Sequence, residues 1–165
     1  MEQQPSSDLL VPESDATLPF TDTVEHSLDA KYRVVLPAGV RPAFGAGGML
    51  TVWDGPCVAV LTAPGFRSWV DHLRRVLPGS GFDDPNTHVK LAHAQAATFK
   101  PDAQGRFLLP ERFRFAAGID RALTVIGVGS RIELWNPATY GRDLDELRQN
   151  LAFLQSSYDL DIDGP

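Results

Sequence analysis

A 13-residue pattern occurs twice in this chain, and no other feature restricts the possible fold as strongly. The segment DAQGRFLLPERFR at 102–114 repeats DAKYRVVLPAGVR at 29–41, and sliding the chain by 73 positions superposes them without a gap. The same offset pairs Leu50, Thr51 and Val52 with Leu123, Thr124 and Val125, Leu61 with Leu134, and Pro64 with Pro137. Between residues 29 and 64, 13 of 36 positions are identical, too many for chance at one fixed offset. The chain therefore reads as a duplicated unit.

Each copy makes the same physical argument. Asp29 or Asp102 opens a tight turn, and Gly105 supplies conformational freedom in the second turn. Arg33 or Arg106 follows at the turn's exit. A short apolar run comes next, Val34 to Leu36 or Phe107 to Leu109, which suits a buried strand. Pro37 or Pro110 is then expected at the first position of a short helix, where its missing N–H is harmless. Gly45 and Gly118 are expected to end those helices. The unit reads as strand, turn, strand, short helix, then a hairpin.

Asp-x-x-Gly-Arg, three apolar residues, Pro, and an Arg four positions on resembles the AbrB-type DNA-binding fold. Two copies in one chain resemble the MraZ family of bacterial transcriptional regulators. The segments HSLDAK at 26–31 and VIGVGSRIELW at 125–135 are similar to that family, and the resemblance covers roughly residues 20–142. It implies a mainly β fold with short helices (α+β), built from duplicated swapped-hairpin repeats that form a pseudo-twofold, barrel-like unit. It also implies double-stranded DNA as partner, with Asp29, Lys31, Arg33, Asp102, Gln104 and Arg106 at the DNA-binding positions. It implies no cofactor, and ring-like homo-oligomers that bind direct repeats in the promoter of a cell-division and cell-wall gene cluster. Three positions depart from the family pattern. Asp22 stands where Gly is usual, so the local path is expected to differ there, and Tyr32 stands where Gly is usual in the first turn, which then does not easily adopt φ > 0. Gln104 stands at the place of Lys31, keeping hydrogen-bonding capacity without charge.

The net charge of −6 argues at first against nucleic acid. Its distribution reverses that. Residues 1–30 hold seven acids and no Lys or Arg, and residues 143–165 hold six acids and one Arg. Residues 31–142 hold 14 Lys and Arg against eight acids. Attraction to phosphate depends on the local patch, so the basic middle outweighs the acidic ends. The single cysteine, Cys57, excludes a disulfide framework and reads as a small buried residue. No signal peptide and no apolar run long enough for a bilayer is seen, so a cytoplasmic, nucleoid-associated protein with no membrane partner is expected.

The chain divides into an acidic tail (1–19), a first repeat with its following helix (20–77), a connecting loop and helix (78–94), a second repeat with a C-terminal helix (95–155) and an acidic end (156–165). The tail is a solvated extension, or a competitor of DNA for the basic face. Pro64 opens a helix with Phe66, Trp69, Val70, Leu73, Val76 and Leu77 at helical spacing. Asn86 or Thr87 is expected to cap the next helix. The last helix starts at Pro137 with Tyr140, Leu144, Leu147, Leu151 and Leu154 on one face.

No pattern for catalysis emerges. His26, His72, His88 and His93 fall outside any nucleophile motif, and His88 and His93 are poorly spaced for a shared metal. No small-molecule substrate is expected. Asp29 and Asp102 are explained as turn residues that accept backbone hydrogen bonds. Arg33 and Arg106 stand at equivalent places and are expected to project together from one end of a strand pair. They could fork to guanine edges or to phosphates, or simply pair with the aspartate of their own turn. Tyr32 could stack on a sugar or base, or cover the turn. Arg41 and Arg114 are expected to brace the turn or the sheet. The rival to a DNA-binding regulator is a protein–protein scaffold that keeps the fold without DNA binding.

Overall fold

The computed structural model describes residues 19–53, 56–76 and 84–162. The tail before Pro19, the hairpin turn at 54–55, most of the loop from Pro78 to Pro85, and the last three residues lie outside the described residues.

Strand β1 (Thr23–Ser27) leads through the first Asp turn into β2 (Arg33–Val35), a 3₁₀ helix (Ala38–Phe44), and the hairpin β3 (Gly48–Trp53) and β4 (Cys57–Thr62). Helices α1 (Ala63–Val76) and α2 (Pro85–Gln95) follow. The second copy then runs β5 (Ala97–Phe99), β6 (Arg106–Leu108), α3 (Glu111–Ala117), β7 (Ala122–Gly127), β8 (Ile132–Trp135) and α4 (Pro137–Ile162). The fold is thus mixed α+β.

All pairings between named strands are antiparallel. Six strands form one sheet in the order β1-β7-β8-β4-β3-β5, and β2 and β6 form a separate ribbon. The hairpin of each copy therefore borders the leading strand of the other, β7 beside β1 and β3 beside β5. In the ribbon, Val34 faces Phe107, its own counterpart 73 positions on. The registers at the two sheet edges differ. That shift would set Trp53 opposite Ala96, whereas Leu50 faces Ala97, a two-residue step. A step of two keeps every side chain on its original face.

The barrel-like closure implied by the resemblance is not formed. Strands β1 and β5 are the two edges of an open sheet and do not pair with each other. With only three residues each in β5, β2 and β6, little backbone is available to continue the ladder around a barrel.

Strand β4 is central and buried on both faces, which explains its continuous apolar run. Val58 and Val60 join the main core with Val34, Leu36, Phe44, Phe107, Leu109 and Phe113. Ala59 and Leu61 face a second cluster with Phe66, Val70 and Val89, contributed by α1 and α2. Trp69 packs there against Trp53, with ring centroids 4.9 Å apart. Cys57 is buried. On β8, the buried Glu133 accepts hydrogen bonds from Arg131 Nε at 2.8 Å and Trp135 Nε1 at 2.9 Å. Those partners allow a carboxylate inside an apolar sheet.

Helix ends differ from expectation in three places. Pro37 and Pro110 sit just before their helices as caps, rather than at the first helical position. Pro42 lies inside the first helix, lacks the N–H an α-helix needs and restricts Arg41, so that segment is 3₁₀. Phe115 holds the equivalent place in the second copy and permits an α-helix. Gly118 ends that helix in the left-handed region (φ 63°), whereas Gly45 stays right-handed (φ −57°). The cap of α2 is Asp84, which accepts from Asn86 N at 2.9 Å and the Thr87 hydroxyl at 2.9 Å. Pro85 at the helix start sets that boundary one residue before Asn86. On α4, Tyr140 and Leu144 are half-buried and Leu151 is exposed, so the apolar stripe is only partly covered. The side chains of Leu147 and Leu154 lie outside the described residues. Among the described residues no helix is long and apolar enough to cross a membrane.

Candidate nucleic-acid interface

The two Asp turns are built by the same hydrogen bonds. Asp29 Oδ1 accepts from the N–H groups of Lys31 and Arg33, both at 2.9 Å, and its Oδ2 accepts from Arg33 Nε at 2.7 Å. Asp102 Oδ1 accepts from Gln104 N at 3.0 Å and Arg106 N at 2.9 Å, and its Oδ2 from Arg106 Nε at 2.8 Å. A short carboxylate placed at the start of the turn can satisfy donors two and four residues on, which is why Asp suits this position. The Arg33 backbone N–H, followed by its guanidinium and the Lys31 N–H, holds the Asp29 carboxyl below the usual carboxylate range. The corresponding groups of Arg106 and Gln104 do the same for Asp102.

Tyr32 adopts φ 58°, beside φ 77° at Gly105. The expectation that a side chain here would resist the left-handed conformation is corrected: the first turn takes it with tyrosine in place. Such a residue is held only where its surroundings over-determine it. Tyr32 N donates to Asp29 O and Leu109 N donates to Tyr32 O, each at 2.9 Å. Two guanidinium groups lie over the ring, Arg114 Cζ at 3.7 Å and Arg121 Cζ at 4.5 Å from its centroid. Asp22 likewise takes positive φ (81°), and its carbonyl accepts from Gly127 N.

The turns interlock across the copies. Leu36 N donates to Gly105 O as Leu109 N donates to Tyr32 O, both at 2.9 Å. Arg41 Nε donates to Leu36 O at 2.9 Å and Arg114 Nε to Leu109 O at 3.1 Å, so each short-helix arginine ties down the strand before it. The same side chains cover the opposite copy's turn. Arg114 lies over Tyr32, and a Cβ at Gly105 would come within 2.8 Å of Arg41 Cδ. The expected bracing role of Arg41 and Arg114 is what the contacts display.

Arg33 and Arg106 do not stand at one end of a strand pair, as the sequence suggests. They begin opposite ends of the antiparallel ribbon, Arg33 facing Leu108 and Arg106 facing Val35. The ribbon is so short that they meet nonetheless. Val34 and Phe107 point into the core, and by the alternation of a strand Arg33 and Arg106 lie on the outer face. Arg33 Nη1 is 3.8 Å from Asp102 Oδ2, the oxygen that also holds Arg106 Nε. Both arginine side chains are about a third exposed (27% and 34%), so each is partly covered by its aspartate and still reachable. The Asp–Arg pair within each turn therefore exists. It uses Nε, and a guanidinium carries five N–H donors, so pairing does not exhaust either group.

Arg121 was not legible as part of this site. It stands where the first copy has Gly48, outside the repeated pattern. Its Nη1 donates to Asp29 O at 2.8 Å, 92 positions away in sequence. The cluster thus gathers Lys31, Arg33, Arg41, Arg106, Arg114 and Arg121 around Asp29 and Asp102, a balance favouring phosphate. His93 packs edge-on against Phe66, and no group of metal-binding side chains occurs among the described residues.

A family model described as "MraZ protein, putative antitoxin-like" matches residues 92–159. A relative named "Transcriptional regulator MraZ" from Clavibacter michiganensis is 36% identical over 121 residues, covering 73% of this chain and 83% of its own. A relative of the same name from Kocuria rhizophila is 35% identical over 127 residues, covering 77% and 87%. Another from Micrococcus luteus is 32% identical over 141 residues, covering 86% and 96%.

Proposed function

Because this chain belongs to the MraZ family, we propose that it is a transcriptional regulator that binds promoter DNA through its paired Asp29–Arg33 and Asp102–Arg106 turns. The observation that carries this reading is the meeting of Arg33 and Arg106 at Asp102 on the outer face of the β2–β6 ribbon. Two guanidinium groups fixed on a short rigid ribbon can fork to guanine edges or bridge phosphates. Lys31 and Gln104 flank them on the exposed side of their turns.

The two copies are read as one duplicated swapped-hairpin unit. The exchange of hairpins between copies and the facing of Val34 with Phe107 support that reading. The division into a first repeat at 20–77 and a second at 95–155 follows from it. A single chain offers few cations, so its affinity would be modest and its salt dependence shallow. Several copies held rigidly together gain orders of magnitude in avidity, which favours a homo-oligomer on repeated DNA boxes. Occupancy of a promoter needs no cofactor.

One observation favours a scaffold without DNA binding: both arginines are already paired with aspartates. Fluorescence anisotropy separates the readings. A labelled duplex from upstream of this protein's own gene is titrated with wild type and with Arg33→Ala/Arg106→Ala, at two salt concentrations, beside scrambled duplex. Saturable binding that prefers the promoter and is lost in the folded double variant is expected. Equal binding to both duplexes, or no loss in the variant, would assign the turns a structural role.

A further inference from the structure

The two turns share one hydrogen-bond plan but present different chemistry. The first carries Lys31 and Tyr32 where the second carries Gln104 and Gly105. Around the first turn, Arg114 and Arg121 lie over the Tyr32 ring, and Arg121 also holds the Asp29 carbonyl. With Lys31 and Arg33 that places four cationic residues in or over the first turn. The second turn is covered by Arg41 and pairs Arg106 Nη2 with Gln104 Oε1 at 3.2 Å. Gln104 and Gly48 occupy the places that Lys31 and Arg121 have in the other half, so two of the four cations have no counterpart, and Asp102 has Arg106 with Arg33 reaching it at 3.8 Å.

Resting on the DNA reading above, we propose that the turns divide the work: the Asp29–Arg33 turn anchors phosphate, and the Asp102–Arg106 turn discriminates bases. Phosphate binding needs positive charge and tolerates bulk. Lys31, Arg33, Arg114 and Arg121 supply the charge, and the Tyr32 ring fills the tip of the turn. Base reading needs close approach and matched donors and acceptors. Gly105 adds no side chain and lies beneath Arg41, so the exposed Gln104 is the group that the second turn presents. Gln104 and Arg106 set an amide beside a guanidinium, the two groups that pair with adenine and guanine edges in the major groove. Tyr32 is then a positioning residue, fixed between its own turn and two arginines.

The test uses the full chain, the labelled upstream duplex and its scrambled control, with salt titrations of Lys31→Ala and Gln104→Ala. Both side chains are exposed, so both variants should fold. Lys31→Ala is expected to weaken binding to both duplexes by a similar factor and to reduce the salt slope by about one or more. Gln104→Ala is expected to leave the slope and scrambled binding unchanged while cutting the preference for the promoter by about 5- to 100-fold. Arg121→Lys, which keeps the charge, should preserve the slope. Loss of preference in Lys31→Ala, or a uniform loss in Gln104→Ala, would overturn the division of labour with DNA binding itself intact. A wild type that binds neither duplex would overturn the DNA reading as well.

Discussion

Arg33 lies within 3.8 Å of Asp102, although the two belong to different copies of the repeat and are 69 positions apart in sequence. Asp102 thereby faces both motif arginines, since Arg106 Nε is 2.8 Å away. The two turns form one electrostatic unit.

Sharing of this kind should appear as non-additivity. Arg33→Ala and Arg106→Ala are each expected to weaken promoter binding by about 1–3 kcal/mol. The double variant should depart from the sum by about 0.5 kcal/mol or more, because the groups share a partner. A double-mutant cycle by anisotropy measures the coupling, and strict additivity would show that the turns act independently.

Acid should loosen the turns. Asp29 and Asp102 have folded-state pKa values lowered from 3.8, mainly by the backbone N–H of Arg33 and of Arg106. A lowered carboxyl pKa contributes stability that is fully present above the unfolded value and is lost as pH falls through the folded value. The melting temperature contribution of these turns should therefore be level from neutral pH to about 5 and fall below that. Asp29→Asn/Asp102→Asn should lower the melting temperature at neutral pH and flatten the acid limb. Thermal melts from pH 7 to 3 give the comparison, and parallel acid limbs in wild type and variant would refute it.

Gly105→Ala should destabilise the fold by about 1–3 kcal/mol, because φ is positive and the new Cβ would displace Arg41 from its bond to Leu36. Gly129→Ala is the control. Its φ is also positive (86°), but nothing lies within 4 Å of the added Cβ. Chemical denaturation should rank Gly105→Ala as the more damaging. The reverse order would mean Arg41 moves aside freely.

Two phenylalanines on one short helix should differ sharply. Phe113 is 1% exposed and Phe115 is 87% exposed. Phe113→Ala is expected to cost about 3–5 kcal/mol through a core cavity. Phe115→Ala should change stability by about 0.5 kcal/mol or less. Denaturant midpoints at constant slope would report both values.

Much of this was legible before the fold was known. The repeat, the apolar runs and the prolines located most elements, because each signal is local and periodic. The Asp turns were legible for the same reason, since the hydrogen bonds that each aspartate side chain accepts span four residues or fewer. Local signals do not show an outcome that a neighbour distant in sequence decides. Tyr32 takes a left-handed conformation because Leu109, Arg114 and Arg121 hold it there. The cap of α2 is decided locally, since Asp84 and Asn86 can both cap a helix and Pro85 at the helix start selects Asp84.

The sequence by itself determined the duplicated plan, the two Asp–Arg turns and the basic centre between acidic ends, since these are properties of residue order and short-range hydrogen bonding. Tertiary structure alone decided that the sheet stays open, that Arg33 and Arg106 meet from opposite ends of a ribbon, and that Arg121 joins them. Those outcomes depend on strand pairing between the copies. Pairing is set by burying Val34 and Phe107 against a common core, a packing requirement that no local stretch of chain expresses.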